Sequence, residues 1–227
     1  MSMYACYGLS LQNQRTVNMD SLLIKQRKIC GQQVCLAVVC DGVGSMADGA
    51  VAASDAVHCL STWMDQLTAL TRVGLALRDV VQQTNESIVQ KARIQGLKTA
   101  STLSALLLVE GRYYIVHLGD SRIYSYAAGA MTQLTYDQVQ DGKLTSCIGW
   151  MLRPEIYYNE GICTGNGFLL CSDGLIKRTD PAQLQMELTQ VKKKTLKKTA
   201  ERMAQYAVQC GEMDNISLAL ILCENGR

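Results

Sequence analysis

Five aspartates lie within two residues of short apolar segments, at positions 20, 41, 120, 173 and 214. Apolar runs of this length are typical of buried strands, so each aspartate is expected near the end of a strand. Carboxylates that gather at strand ends repel one another unless a cation lies among them. Oxygen ligands without a His or Cys partner suit Mg²⁺ or Mn²⁺. If the strands converge, the sequence predicts a metal-dependent hydrolase.

The segment DGVG at residues 41–44 is the strongest single candidate for a metal ligand. A bend directly after an apolar run lets the Asp41 carboxylate and the Gly42 carbonyl face the same ion, because glycine has no Cβ to obstruct the approach. Taken alone, this pair is equally typical of an ordinary turn, and Asp173 followed by glycine has the same ambiguity. The combination of all these aspartates at strand ends favours a metal site.

Arg15 lies five residues before Asp20. A guanidinium suits phosphate because its planar fork donates two parallel hydrogen bonds. If Asp20 belongs to the site, Arg15 is close enough in the chain to bind an anionic oxygen. A solvated surface arginine is the alternative interpretation.

Composition limits the classes of protein that fit. A length of 227 residues suits one domain, and a net charge of +2 is too small to indicate binding to nucleic acid or to a membrane surface. The first ten residues do not resemble a signal peptide, and no apolar run is long enough to span a membrane. We therefore expect a cytoplasmic protein.

The ten cysteines include no C-x-x-C pair, which argues against a zinc site. Most lie inside apolar runs, where a free thiol behaves as a small hydrophobic group. Cys30, Cys35 and Cys40 are five residues apart, and an odd offset along a strand places side chains on opposite faces. We expect reduced thiols.

The elements that must position the aspartates follow from hydrophobic periodicity. Apolar residues at spacings of three and four predict helices over residues 50–67, across residues 77–88 with an end near Gly96, and over residues 196–210 with a stop at Gly211. Strands are predicted over residues 4–9, 21–24, 34–40, 102–109, 113–118, 122–126, 130–134, 166–171 and 216–222.

Connections between the predicted strands indicate how they pair. The polar segment at residues 25–33 is predicted to be a turn. The short links at residues 110–111, 119–120 and 128–129 each predict an antiparallel hairpin. Hairpin runs with helices in separate blocks indicate an α+β fold, in which helices cover two stacked antiparallel sheets. The aspartates would then lie along one rim.

Eight short segments together resemble the metal-dependent protein phosphatases of the serine/threonine type 2C family, most closely its compact bacterial members. They occur in the family's order and cover nearly all of the chain. The segments are RTVNMDS (15–21), DGVGS (41–45), AST (100–102), HLGDSRIY (117–124), LTYD (134–137), LTSCIG (144–149), LCSDGL (170–175) and DNIS (214–217).

This resemblance implies a four-layer α-β-β-α sandwich, formed as a single phosphatase domain over residues 1–227. It also implies two Mn²⁺ or Mg²⁺ ions between the sheets. Asp41 would bridge both ions, and Gly42 would offer its carbonyl oxygen. Asp173 and Asp214 would hold the first ion, and Asp20 would support the second.

The same resemblance implies a weaker third ion between Asp120 and Asp173, and it assigns the substrate phosphate to Arg15. The implied catalytic residues are Asp41, Asp173 and Arg15. The implied reaction is hydrolysis of phosphoserine and phosphothreonine esters in proteins, by a hydroxide that bridges the ions and without a phosphoenzyme. The expected partners are phosphorylated proteins that a serine/threonine kinase produces, bound by a monomer, with no nucleic acid and no membrane.

Some residues depart from the family pattern. Met19 replaces the usual Glu or Gln, Ser45 replaces glycine, and residues 137–143 are all that remains of a longer flap. These departures leave two alternatives open: a phosphatase-like regulatory module that binds phosphoproteins without turnover, and a phosphatase of small phosphorylated molecules. The two histidines, His58 and His117, are predicted to be structural.

Overall fold

The computed structural model describes residues 4–127 and 129–223. Its strands are β1 (Tyr4–Leu11), β2 (Ser21–Ile29), β3 (Gln32–Cys40), β4 (Leu103–Val109), β5 (Arg112–Leu118), β6 (Arg122–Ala127), β7 (Ala130–Gln133), β8 (Val139–Gln140), β9 (Lys143–Leu144), β10 (Tyr157–Ile162), β11 (Gly167–Cys171) and β12 (Ile216–Cys223). Its α-helices are α1 (Gly49–Gln66), α2 (Val73–Gln95), α3 (Asp173–Ile176), α4 (Pro181–Thr189) and α5 (Leu196–Gln209).

Two five-stranded antiparallel sheets form the centre of the fold. Sheet I has the strand order β1-β12-β11-β6-β7, and sheet II has the order β10-β5-β4-β3-β2. The helices α1 and α2 pack on the outside of sheet II, whereas α3, α4 and α5 pack on the outside of sheet I. This arrangement confirms the predicted four-layer α-β-β-α sandwich.

Strand β3 illustrates how the sequence produces these layers. Its residues are apolar on both faces, because the strand lies inside the molecule. Leu36 and Cys40 face the helices α1 and α2, whereas Cys35 and Ala37 face sheet I. The predicted opposite orientation of Cys35 and Cys40 is therefore confirmed. All ten cysteines have free thiols, as expected.

The three predicted helices are confirmed. Helix α2 ends where Gly96 adopts a positive φ of 68°, and Gly211, just beyond the end of α5, has a φ of 84°. Helix α4 was missed, although Asp180 accepts a hydrogen bond from the Ala182 amide and Pro181 occupies the first helical position. Among the described residues, no helix is long and apolar enough to cross a membrane.

The predicted turn over residues 25–33 is wrong. Strand β2 continues to Ile29, and β3 begins at Gln32. The polar residues fit a strand here because β2 is the edge of sheet II and α1 lies beside it. The Lys25 ammonium donates to Asp65 of α1 at 2.5 Å, and the Arg27 guanidinium donates to the backbone carbonyl of Asp65 at 2.7 Å.

The hairpin predicted at residues 119–120 is also wrong. Strands β5 and β6 belong to different sheets, so the chain crosses from sheet II to sheet I at this point. The chain can cross between the sheets in so short a link because Gly119 adopts a φ of 102°, which residues other than glycine rarely adopt. Glycine is also needed for packing, since a Cβ there would lie 2.7 Å from the Thr102 side chain. The predicted hairpin at residues 110–111 is confirmed, and β6 pairs with β7 as expected, although Ala128 in their link lies outside the described residues.

Candidate functional site

The strand register brings Asp20 and Asp41 to the same edge of sheet II. Asp20 directly precedes β2, and Asp41 directly follows β3. Because Ser21 pairs with Cys40 in this antiparallel pair, the two aspartates extend from neighbouring strand ends.

The other three aspartates lie at the matching edge of sheet I. Cys171, at the end of β11, pairs with the beginnings of β12 and β6. Asp173 follows β11, Asp214 precedes β12, and Asp120 lies in the crossing before β6. We call the edge defined by these five residues the aspartate rim.

Hydroxyl groups join the two sheets at this rim. The Ser172 hydroxyl donates to Asp20 Oδ2 at 3.0 Å, which connects the end of β11 to the start of β2. The Thr102 and Ser121 hydroxyls lie 2.7 Å apart, and Thr102 Oγ1 accepts from the Asp41 amide at 2.9 Å. Buried hydrogen bonds of this kind hold the aspartates at set positions.

Burial and mutual repulsion raise the pKa values of the central carboxyl groups. Asp20 is only 8% exposed, and burial raises its pKa to about 6, while the hydrogen bond from the Ser172 hydroxyl acts in the opposite direction. Burial also raises the pKa of Asp41 well above its ordinary range, and repulsion from Asp20 and Asp173 adds to this effect. The pKa of Asp120 is raised to about 6 by burial and then by repulsion from Asp173. Asp20, Asp41 and Asp120 are therefore carboxyl groups whose negative charge is poorly compensated.

One oxygen in the cluster offers a direct test of whether a cation fits. Asp20 Oδ1 is buried and has no hydrogen-bond partner in the described part of the chain. A buried carboxylate oxygen without a partner is costly, and a divalent cation with oxygen ligands satisfies it. Across residues 4–127 and 129–223, however, no three His, Cys, Asp or Glu side chains form a group that could hold a metal ion. The donor chemistry fits Mg²⁺ or Mn²⁺, but the side chains as they stand do not complete a coordination shell.

Asp214 is engaged by Arg15. The Arg15 Nε and Nη2 atoms donate to the two Asp214 carboxylate oxygens, both at 2.8 Å. Burial acts to raise the pKa of Asp214, but this ion pair outweighs it and the pKa is lowered. The sequence predicted that both residues belong to the site, and the structure adds a direct contact between them.

Asp173 has a different cationic neighbour. Burial raises its pKa, while the Lys177 ammonium, 3.5 Å from Asp173 Oδ2 and one turn later in the chain, acts in the opposite direction. Lys177 was missed because a lysine four residues after an aspartate is also typical of an exposed helical ion pair.

Asn215 and Glu212 are two further residues that were missed. The Asn215 amide donates to the Gln12 and Val17 carbonyls at 2.8 and 3.1 Å, and its oxygen accepts from the Met19 amide at 2.9 Å. Glu212 Oε1 accepts from the Asp214 amide at 2.9 Å. These contacts clamp the segment carrying Arg15 against the segment carrying Asp214. The Asn215 contacts join residues about 200 positions apart, so sequence spacing offered no signal for them, whereas the Glu212 contact is local to the segment carrying Asp214.

A cleft of about 570 Å³ opens beside the aspartate rim. Arg15, Asp41, Gly42 and Asp214 line it, whereas Asp20, Asp120 and Asp173 are not among its lining residues. Only glycine fits at position 42, because a Cβ there would lie 2.7 Å from the Met19 carbonyl oxygen. The cleft therefore presents carboxylates and a guanidinium to a common volume, which suits an anionic ligand held beside a cation.

The histidines are not part of this site. His117 is buried in β5, where its Nε2–H donates to the Tyr136 carbonyl at 3.0 Å and its Nδ1 accepts from the Ser104 hydroxyl at 2.9 Å. Burial lowers the pKa of His117 to about 4, so its ring is neutral at pH 7. His58 is exposed in α1. The buried position of His117 agrees with its predicted structural role, and His58 is not among the residues that line the cleft.

Known proteins with the same arrangement place the chain in a family. The family model described as Protein phosphatase 2C matches residues 7–219. The serine/threonine protein phosphatase PstP of Mycobacterium tuberculosis is 26% identical over 209 residues, which cover 82% of this chain and 40% of PstP. The serine/threonine phosphatase stp of Listeria innocua is 28% identical over 223 residues, which cover 85% of this chain and 87% of stp.

The fold agrees with these sequence matches. The crystal structure of the serine/threonine phosphatase Stp1 from Staphylococcus aureus superimposes with a TM-score of 0.88 at 20% identity, covering 97% of this chain and 95% of that one. The chain spans less than half the length of PstP, so the relation to PstP concerns one part of that protein. Members of this family are metal-dependent, in agreement with the acidic cluster at the rim. The match over residues 7–219 establishes that the chain belongs to the protein phosphatase 2C family.

Proposed function

We propose that this chain hydrolyses phosphoserine and phosphothreonine esters in proteins and that the reaction depends on divalent metal ions. The observation that carries the proposal is the buried Asp20 oxygen without a partner, which lies among repelling carboxylates beside a cleft that Arg15 lines. Family membership supports it, as do relatives that are themselves serine/threonine phosphatases.

The ligands of two Mn²⁺ or Mg²⁺ ions would be Asp20, Asp41, Asp173, Asp214 and the Gly42 carbonyl. Bound ions of this kind supply Lewis acidity and lower the pKa of water. The carboxylates of the chain would orient these ions, and the buried hydroxyls of Ser172 and Thr102 hold the segments that carry the carboxylates.

A weaker third ion would involve Asp120, whose raised pKa reflects repulsion from Asp173 as well as burial.

The role of Arg15 in this proposal is to bind the phosphate of the substrate. Two of its N–H groups donate to Asp214, and the remaining donors of the guanidinium can bind phosphoryl oxygens. Arg15 is more than half exposed in the cleft, so a phosphate can reach it. A guanidinium that contacts the phosphate also offsets the negative charge that develops during phosphoryl transfer.

The remaining features of the proposal concern organisation and partners. The chain acts as a single domain over residues 1–227, as a cytoplasmic monomer whose protein substrates are phosphorylated by a serine/threonine kinase. Residues 137–143 act as a shortened flap. The small β8–β9 hairpin lies there, and Gln138 anchors its base by accepting from the Gly119 amide at 2.8 Å.

A regulatory module that binds phosphoproteins without turnover is the second candidate. The Arg15–Asp214 ion pair favours it, because this contact occupies one expected metal ligand and the expected phosphate ligand together. The incomplete ligand group among the described residues points the same way.

Phosphate release from a phosphothreonine peptide distinguishes these functions. We expect turnover with Mn²⁺, loss of turnover with a chelator, and loss in Asp41→Asn. Asp79→Asn, an exposed aspartate in α2, is the matched control and is expected to behave as wild type. Turnover that a chelator does not affect contradicts the metal-dependent function. Peptide binding without turnover in the presence of Mn²⁺ supports the regulatory module.

A further inference from the structure

A second, more apolar pocket adjoins the cleft of the proposed active site. Its volume is about 330 Å³, at the small end of the range of pockets that bind ligands. Val43 and Ser45 line both cavities, so a single segment of chain separates them. No residue of this pocket is among the expected metal ligands or the phosphate ligand.

The walls of the pocket are suited to an apolar side chain. Trp150 forms one wall and is 54% exposed, so its apolar surface is open to a ligand. Leu144 of β9 and Met46 add further apolar surface, and the buried residues Ala100 and Cys147 form another part of the lining. The interior offers dispersion contacts and apolar surface, with one lysine, Lys143, among the lining residues.

Hydrogen bonds beneath the pocket hold its lining in place. Ser101 and Ile148 exchange two backbone hydrogen bonds of 3.0 and 2.9 Å, next to Ala100 and Cys147. The Asn85 side chain is fully buried, accepts from the Gly149 amide at 2.9 Å and donates to the Met151 carbonyl at 2.8 Å. The chain on both sides of Trp150 is therefore fixed, and a preformed pocket costs a ligand little ordering free energy.

We propose that this pocket is a specificity subsite that binds one apolar side chain of a phosphopeptide substrate. The inference rests on the proposed function, because it takes the adjoining cleft to be the place where the phosphorylated residue binds. One chain segment separates the two cavities, and because neighbouring extended segments lie about 5 Å apart, an extended peptide is expected to reach from one cavity to the other in about two residues. The apolar residue is thus expected within three positions of the phosphorylated residue.

A peptide series tests the subsite. Each peptide has phosphothreonine at its centre and glycine elsewhere, and a single leucine replaces each glycine in turn from three positions before to three positions after the phosphothreonine. With Mn²⁺ present, we expect leucine at one or two positions to raise kcat/KM about tenfold over the all-glycine peptide, which corresponds to about 1.4 kcal/mol. The ratio is then compared between wild type and variants.

Variants connect this preference to the pocket. Trp150→Ala and Leu144→Ser are expected to reduce the leucine-to-glycine ratio to near one. Leu152→Ala, a nearby exposed apolar residue that does not line the pocket, is the matched control and is expected to preserve the ratio. The subsite is refuted if the leucine-to-glycine ratio of kcat/KM in wild type is near one at all six positions. It is also refuted if Trp150→Ala and Leu144→Ser both keep the wild-type preference for leucine.

Failure of the subsite and failure of the proposed function give different results. If every peptide is hydrolysed at the same rate, only the subsite is refuted. If no peptide is hydrolysed, the proposed function is refuted, and fluorescence anisotropy with the same labelled peptides then decides the subsite. Tighter binding of a leucine peptide that is lost in Trp150→Ala supports it, and equal affinities across the series overturn it.

Discussion

Replacing the Asp20 carboxylate with an amide is expected to stabilise the metal-free protein at high pH. The pKa of Asp20 is raised from 3.8 to about 6 in the folded state, chiefly by burial. The folded protein therefore keeps this proton between about pH 4 and pH 6, where the unfolded chain has released it. The stability associated with protonated Asp20 is fully present below the unfolded pKa and is lost as the pH rises through 6.

The size of the effect follows from the shift. A pKa raised from 3.8 to about 6, at 1.36 kcal/mol per pH unit, lowers the free energy of unfolding of wild type by about 3 kcal/mol at pH 8 and by about 1 kcal/mol at pH 4.5. Asp20→Asn removes the charge, and its side-chain oxygen can still accept from the Ser172 hydroxyl, which now donates to Asp20 Oδ2. We therefore expect the difference in free energy of unfolding between Asp20→Asn and wild type to increase by about 2 kcal/mol in favour of the variant as the pH rises from 4.5 to 8.

Urea unfolding in the presence of a chelator measures this difference across the pH range. Asp79→Asn in α2 is the control for loss of an exposed aspartate, and its free energy of unfolding should follow wild type at each pH. The reasoning is refuted if the difference between Asp20→Asn and wild type does not change with pH, or if the variant is the less stable protein at pH 8.

Three further predictions test neighbouring parts of the site. Arg15→Lys keeps the positive charge but loses the two-pronged contact, so we expect inhibition of turnover by inorganic phosphate to weaken about tenfold; an unchanged inhibition constant contradicts the phosphate-binding role. Gly174→Ala places a Cβ against the Asn215 carbonyl, and we expect a loss of about 1–3 kcal/mol in urea unfolding, whereas wild-type stability would refute this packing. The pKa of His117 is lowered to about 4 by burial, so its NMR signals should not titrate between about pH 5.5 and pH 8, and a midpoint near 6.5 would contradict its buried, neutral state.

The sequence was most informative where a local pattern has one structural outcome. Buried strands must be apolar, so the runs before Asp41 and Asp173 could be recognised, and a carboxylate next to such a run has to emerge at the edge of a sheet. Helices α1, α2 and α5 could be recognised because each carries an apolar stripe at helical spacing. The hairpin runs and the separate helix blocks indicated helices over two stacked antiparallel sheets, and the resemblance to the phosphatase family implied the four-layer α-β-β-α sandwich.

Other features could not be predicted because they depend on contacts between distant parts of the chain. A short link such as residues 119–120 has the same local signature whether the next strand joins the same sheet or the opposite one. Edge strands such as β2 and β10 tolerate polar residues, which removes the apolar signal. The ion pair between Arg15 and Asp214 joins residues 199 positions apart, and neither residue's neighbours indicate that the two would meet.

Anomalous diffraction from a crystal soaked in Mn²⁺ tests the central claim most directly. The account predicts two strong peaks at the aspartate rim, within coordination distance of Asp41, Asp20, Asp173 and Asp214. A map without a peak among these carboxylates, from a crystal that binds Mn²⁺ elsewhere or not at all, would contradict it.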